Sequence, residues 1–179
     1  MSAPIDLTLL PMPQVVEVLD FEEILATRKS AVIELMPEEE REATAAMLEL
    51  ESEPAVKLLE ENSYQTIIHR NRVNDAALAV MLPYSKGTDL DNLGANYNVK
   101  RLTIIAANPD ATQPTEAVME DDEAYRLRIQ ESADGLSTAG PRSAYEFHAR
   151  SADGRVKDVR AISPAPCEIV IAVLSTTWR

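Results

Sequence analysis

EDDEAYRLRIQESADGLSTAGPRSAYEFHARSADGRVKDVRAISPAPCEIVIAVL, Glu120–Leu174, is the stretch on which the fold turns. It opens with four acids and reaches Arg126 and Arg128 within two turns, an acid-to-base order that suits a helix because its N-terminus favours carboxylates. Tyr125 and Ile129, four residues apart, then share an inward face. Gly135 ends this helix. Ser132–Gly135 recurs as Ser151–Gly154, but the flanks differ, so two separate glycine C-caps are expected rather than a duplication. Pro141 opens a second helix with Ala144, Tyr145, Phe147 and His148 on an aromatic side. Arg155–Ile162 alternates as a strand does, Ser163-Pro164-Ala165-Pro166 connects, and Cys167–Leu174 is β-rich, so the two runs read as hairpin neighbours.

Upstream the chain is mostly helical and acidic. Residues 1–19 hold Pro4, Pro11 and Pro13 among apolar residues and read as an extended arm that packs on something. Asp20 and Glu23 make a capping pattern before a helix over Phe21–Met36, whose stripe is Phe21, Ile24, Leu25, Val32 and Leu35. Pro37 stops it. Glu38, Glu39 and Glu40 then start a second helix, running to Glu51 with Ala43, Met47 and Leu50 on its apolar side. Ser52 can cap a third, from Pro54 to Leu82, lined by Val56, Leu59, Ser63, Ile67, Arg70, Val73, Ala77, Val80 and Met81. At ~1.5 Å per residue it would span roughly 40 Å, and a helix that long in a chain this short projects beyond its own core or is clasped by partners. Thr88 and Asp91 can cap a short helix that presents Leu90, Leu93 and Tyr97 on one face, with Gly94 permitting close backbone approach. Val99–Ala106 reads as extended and Asn108–Thr115 as a surface loop. The predicted class is α+β: long bundle-forming N-terminal helices, then a small mixed α/β portion ending in an incomplete antiparallel sheet. The predicted divisions are an arm over 1–19, a helical bundle region over 20–83 and an α+β domain over 84–179.

Composition narrows the function. Thirty acidic against 17 basic residues give a net charge of -13, which repels phosphate backbones and anionic lipid, so neither nucleic acid nor a membrane is an expected partner. The acid load is uneven: residues 1–90 carry 17 acids and 7 bases. One cysteine, Cys167, gives no internal disulfide and suits a reducing compartment. The N-terminus has no basic region of the signal-peptide kind, and no apolar run approaches the ~18 residues of a membrane span.

The candidate chemistries are weak. Ser85-Lys86-Gly87-Thr88 lacks the upstream glycine and residue order of a phosphate loop. Cys167 with His148, or Ser137 or Ser151 with the same histidine, would make a thiol or serine hydrolase, but a lone cysteine entering an apolar strand is expected to be a small buried residue. Glu116, Glu120, Asp121, Asp122 and Glu123 offer oxygen ligands without the spacing or glycine turn of a calcium loop, and read as solvated helix-start charge. His69 has no second ligand at metal spacing. No catalytic residue, metal site or cofactor is therefore assigned. An acidic adaptor that binds a basic protein fits the composition equally well.

Four motifs in order carry a sharper reading: Leu50–Pro54 with Lys57–Glu60; Gly87–Tyr97 with Arg101-Leu102; Glu120–Ile129; and Gly135–Pro141 through Tyr145, His148 and Ser151–Val156 to Ser163–Pro166. Together, from Ile5 to about Ser175, they closely resemble the baseplate J-like family of contractile-tailed bacteriophages and phage-tail-like bacteriocins. The family-motif residues are Asp89, Leu90, Leu93, Gly94, Tyr97, Tyr125, Arg126, Arg128, Gly135, Pro141, Tyr145, His148, Asp153 and Gly154. The resemblance implies a non-enzymatic baseplate wedge subunit. In it, two copies join a smaller tail protein through a helical bundle, and the α+β portions link wedges into a ring around the spike hub. Implied partners are other wedge proteins and further copies of this chain, in the host bacterial cytoplasm during assembly and then in the virion tail baseplate. Candidate interface residues are Phe21, Leu25, Val32, Leu59, Ile67, Arg70, Val73 and Val80. Family members continue past a strand equivalent to the last one here, so a C-terminally truncated homologue, such as a remnant in a degrading prophage, or a fragment is expected.

Overall fold

A computed structural model describes residues 5–110, 113–137 and 140–176. Expectations placed on Pro4, Thr138, Ala139 and residues 177–179 lie outside the described residues. The chain is α+β, helix-rich toward its N-terminus with small antiparallel sheets after it. It forms two compact units, one of Pro11–Leu78 and one of Leu10 and the residues before it together with Ala79 onward. Among the described residues no helix is long and apolar enough to cross a membrane.

The Pro11–Leu78 unit is helical. Helix α1, Phe21–Leu35, starts where expected because the Asp20 carboxylate accepts from the Glu23 N–H at 3.0 Å. Glu38–Glu40 form a single 3-10 turn rather than the start of a continuous helix, and α2 covers only Arg41–Leu48. Helix α3, Pro54–Ala79, ends three residues earlier than predicted. Its first i to i+4 bond runs from Lys57 N–H to the Glu53 carbonyl, so Glu53, and not Ser52, stands at the helix entrance. Its buried face also differs from the expected apolar stripe. Val56, Ser63 and Asn74 are buried, whereas Val73 is 63% exposed. Both polar residues are satisfied: Ser63 Oγ donates to the Leu59 carbonyl, and Asn74 accepts from Glu17 N–H and donates to the Glu17 carbonyl. Leu25 and Leu48 complete a thin core, and the predicted stripe members Leu35 and Leu50 are exposed.

In the other unit, the arm is not simply extended. Asp6 accepts from Thr8 N–H and closes a 3-10 turn over Leu7–Leu9, a local capping interaction that the prolines do not prevent. Helix α4 spans Gly87–Asn96. Neither Thr88 nor Asp91 caps it. The Asp122 carboxylate instead accepts from Gly87 N–H at 3.2 Å, a capping contact from a residue 35 positions away. Tyr97 lies past the last helical residue and is exposed, so it leaves the face of Leu90 and Leu93. Strand β1, Thr103–Ile105, pairs antiparallel with β2, Val118–Met119, a partner the sequence reading did not place.

Helix α5, Asp122–Glu131, ends at Ser132, and α6, Arg142–Arg150, ends at Ser151. The repeated Ser-Ala-Asp-Gly thus follows both helices, but its glycines are not left-handed caps. A Cβ on Gly135 would lie 2.4 Å from the Phe147 ring, and one on Gly154 would lie 3.1 Å from the Thr103 carbonyl, so close approach is what requires glycine. Strand β3, Val156–Ile162, pairs with β4, Val170–Ser175, as the expected hairpin. Cys167 is exposed in the connecting turn with φ 64°, not buried at a strand entry, because the chain must reverse there.

Candidate functional site

The densest cluster of family-motif side chains surrounds Tyr125. Asp121 fixes the start of α5 by accepting from the N–H groups of Glu123 and Ala124, both at 2.9 Å. One turn later Tyr125 is buried against Leu90, Val99 and Ile129. Its Oη donates to the Val99 carbonyl at 2.8 Å. That carbonyl is held in place by the end of α4, where Asn98 takes φ 56° and the N–H groups of Val99 and Asn98 bond the carbonyls of Gly94 and Ala95. These are the paired bonds of a Schellman motif, with asparagine in the usual glycine position. Gly94 is required beside it, since a Cβ would stand 1.9 Å from the Tyr125 Oη.

Two guanidinium groups flank the phenol ring, Arg101 at 4.7 Å and Arg128 at 5.6 Å from its centroid. Arg101 donates to Asp91 (2.6 Å), Asp122 (2.7 Å) and the Glu120 carbonyl (2.7 Å). Arg128 donates to both oxygens of Glu120, at 2.8 and 2.6 Å, and to the Lys100 carbonyl at 2.7 Å. The Glu120 and Arg128 side chains are only 6% and 3% exposed, so this is a buried bidentate pair. Arg126 donates to the carbonyls of Leu82 and Ser85, tying α5 to the turn before α4.

The electrostatics follow from these contacts. Burial works against the Arg101 charge, but its bonds to Asp91 and Asp122 outweigh that and hold its pKa above the ordinary value. Burial likewise opposes ionisation of Asp122, yet Arg101 and the Gly87 N–H hold its carboxyl below the ordinary value. Burial, followed by the charge of Asp91, pushes the Tyr125 phenol up. The cluster is therefore a clamp. Each guanidinium is held against carboxylate and carbonyl oxygens, and the phenol keeps its proton.

The clamp brings together Leu90, Gly94, Tyr125, Arg126 and Arg128 of the family-motif residues. Leu93 is half-buried on α4, while Asp89 and Tyr97 point to solvent. Gly135 lies against Phe147, Pro141 is the N-cap of α6, Tyr145 lies near Gly140, and Asp153 pairs with Arg155 at 2.6 Å. That contact lowers the Asp153 pKa to about 2, chiefly through the hydrogen bond from the Arg155 side chain. Gly154 packs on Thr103, and His148 is exposed with its ring edge-on to Phe147. Of the interface candidates, Leu25 is buried, Phe21, Val32, Leu59 and Ile67 are half-buried, and Arg70, Val73 and Val80 are exposed. Arg70 lies 3.5 Å from Glu17.

The four-acid run is not uniformly helix-start charge. Glu120 is buried ahead of the helix, and Asp122 binds Arg101. Arg101 is a functional residue that the sequence did not single out; its signal was the Lys100-Arg101 cation pair inside the otherwise uncharged run Val99–Ile105. Among the described residues no group of His, Cys, Asp and Glu is arranged to hold a metal ion.

Comparison with known proteins adds to this geometry. Residues 51–108 match the model of the Baseplate J-like N-terminal domain, which takes in α3, α4 and β1. The chain is also 58% identical over 171 residues to "Baseplate protein J" of Escherichia phage P2, covering 96% of this chain. It spans 57% of the length of that relative. Residues 51–108 are thus similar to the Baseplate J-like N-terminal domain, and nearly the whole chain is similar to part of a longer baseplate protein J.

Proposed function

We propose that this chain is a structural subunit of a contractile-tail baseplate, acting through contacts with other baseplate proteins and not through catalysis. The observation that carries this is the 58% identity to baseplate protein J of phage P2 across 96% of the chain. Its chemistry is consistent with such a role. The charges around Tyr125 are engaged in holding segments together, and the helical unit leaves Leu35, Leu58, Tyr64 and Val73 exposed. In the wedge reading, α1 and α3 enter a bundle with a second copy and a smaller tail protein, through Phe21, Leu25 and Val32 of α1, Leu59, Ile67, Arg70 and Val73 of α3, and Val80 just after it. The clamped unit supplies contacts between wedges. The chain would act in the host bacterial cytoplasm during assembly and in the virion tail baseplate afterwards. Its net charge of -13 disfavours nucleic acid and anionic lipid as partners.

The test is co-expression of the tagged chain with the other baseplate proteins of phage P2, followed by affinity isolation and mass spectrometry. Recovery of those proteins in fixed ratio is expected. Recovery of the tagged chain alone, where phage P2 baseplate protein J recovers them, would overturn the reading.

A further inference from the structure

The two outer edges of the β3–β4 hairpin are finished differently. On β3, the Val159 N–H donates to the Asp158 carboxylate at 2.8 Å, and the Ala161 N–H donates to Glu146 of α6 at 2.9 Å. Both amides therefore point away from β4 and are satisfied by carboxylates, which closes that edge to a further strand. In an antiparallel ladder, facing residues alternate between hydrogen-bonded and non-bonded pairs. Val159 faces Val173 and Ala161 faces Ile171, so these are the non-bonded pairs. The amides of Ile171 and Val173 accordingly point outward from β4. Among the described residues no side chain bonds the backbone of residues 170–174.

The side chains show the same asymmetry. The register places Ile171 and Val173 on the face shared by Val159 and Ala161. Helix α6 packs on β3, and Val159 and Ala161 are buried, but Ile171 and Val173 remain 41% and 54% exposed. The layer covers β3 well and reaches β4 only in part. A groove of about 310 Å³ continues it, lined by Gly140, Tyr145, Ala161, Ile162 and Ile169 together with the polar Arg142 and Ser163. From Ile169 to Leu174 the strand carries no charge, proline or other feature that blocks edge pairing.

We propose that β4 is a docking edge for a strand from the portion of a baseplate J-like protein that lies outside the region matched here. Apart from this edge's chemistry, the length of the relative supplies the occupant: the chain spans 57% of phage P2 baseplate protein J, so a substantial polypeptide lies outside the match. The docked strand takes the outward amides of Ile171 and Val173 and covers their side chains beside α6, by β-augmentation.

The experiment co-expresses the full chain with the unmatched portion of phage P2 baseplate protein J as a separate polypeptide. A one-to-one complex is expected, with slowed amide exchange at Ile171 and Val173 and unchanged exchange at Val159 and Ala161. Val173→Pro removes an outward amide without removing a β3–β4 bond, and is expected to abolish the complex. Circular dichroism of the free variant checks that it folds, and Ile171→Lys, which keeps the amide but charges the face, is expected to weaken the complex as well. Failure to form a complex, or one that survives both substitutions, would overturn the proposal. So would self-association of the chain alone that protects the same two amides, because the occupant would then be a second copy. Neither result touches the test against the other baseplate proteins.

Discussion

The two units bury different chemistry. The helical unit's core is thin, with Leu25, Leu48 and Val56 joined by the polar Ser63 and Asn74, and each polar group is answered by a backbone partner. The other unit buries an ion pair, a phenol and a second, partly buried guanidinium around Leu90, Val99 and Ile129. Helix periodicity and local capping set most of the first, with one distant contact, Asn74 to the Glu17 backbone, fixing how α3 is turned. The second depends on residues far apart in sequence meeting at defined distances, so substitutions there should cost more.

The largest expected effect is at Glu120. Removing one partner of a buried, bidentate pair leaves Arg128 uncompensated, which typically costs about 3–5 kcal/mol. Glu120→Ala is expected to lower stability by that order in urea unfolding monitored by tyrosine fluorescence. A double variant, Glu120→Ala with Arg128→Met, should recover a large part of the loss. If both single and double variants cost the same, the pair is not what organises the unit.

Gly94→Ala comes next. The new methyl would overlap the Tyr125 hydroxyl, which is itself fixed to the Val99 carbonyl, and forced repacking of this kind costs about 1–3 kcal/mol. A neutral result would mean that the ring can move, and the clamp would be looser than its bond lengths indicate. Asp122→Asn should cost about 1 kcal/mol at neutral pH, since the Asp122 side chain is partly exposed. Its pKa lies below the ordinary 3.8, so the contribution is present above that value and is lost as pH falls through the folded value. The gap between wild type and Asp122→Asn, followed by acid titration of ellipticity, should therefore narrow below about pH 3.8. A gap that stays constant would assign the loss to packing instead.

The same contrast explains what could be read from sequence. Asp20 with Glu23, Pro54 and Pro141 announce helix starts because capping and proline geometry act within four residues. The β3–β4 pair was visible from alternation across a short connection. Strand β2 was not, since Val118–Met119 is two residues long and its partner lies beyond the Asn108–Thr115 loop. Nor could the acid run be resolved: Glu120, Asp121 and Asp122 are adjacent and chemically alike, but one pairs with Arg128, one caps α5 and one binds Arg101. Only the distant arginines distinguish them. On α3 the apolar period placed Val73 inward, whereas the buried position belongs to Asn74, because a hydrogen-bonded contact with the Glu17 backbone set the rotation.

That rotation yields the smallest predicted effect. Val73 is 63% exposed on α3, so replacing it removes little buried surface, and surface substitutions away from special features usually fall within about 0.5 kcal/mol. Val73→Ser should leave the unfolding midpoint of the chain nearly unchanged, whereas Asn74→Ala, which strands the Glu17 N–H and carbonyl, should cost about 1–3 kcal/mol. The two neighbours therefore separate folding from assembly on one helix. If Val73 meets a tail partner, Val73→Ser weakens recovery of baseplate proteins without destabilising the chain. A loss of stability equal to that of Asn74→Ala would place Val73 in the core and remove it from the interface.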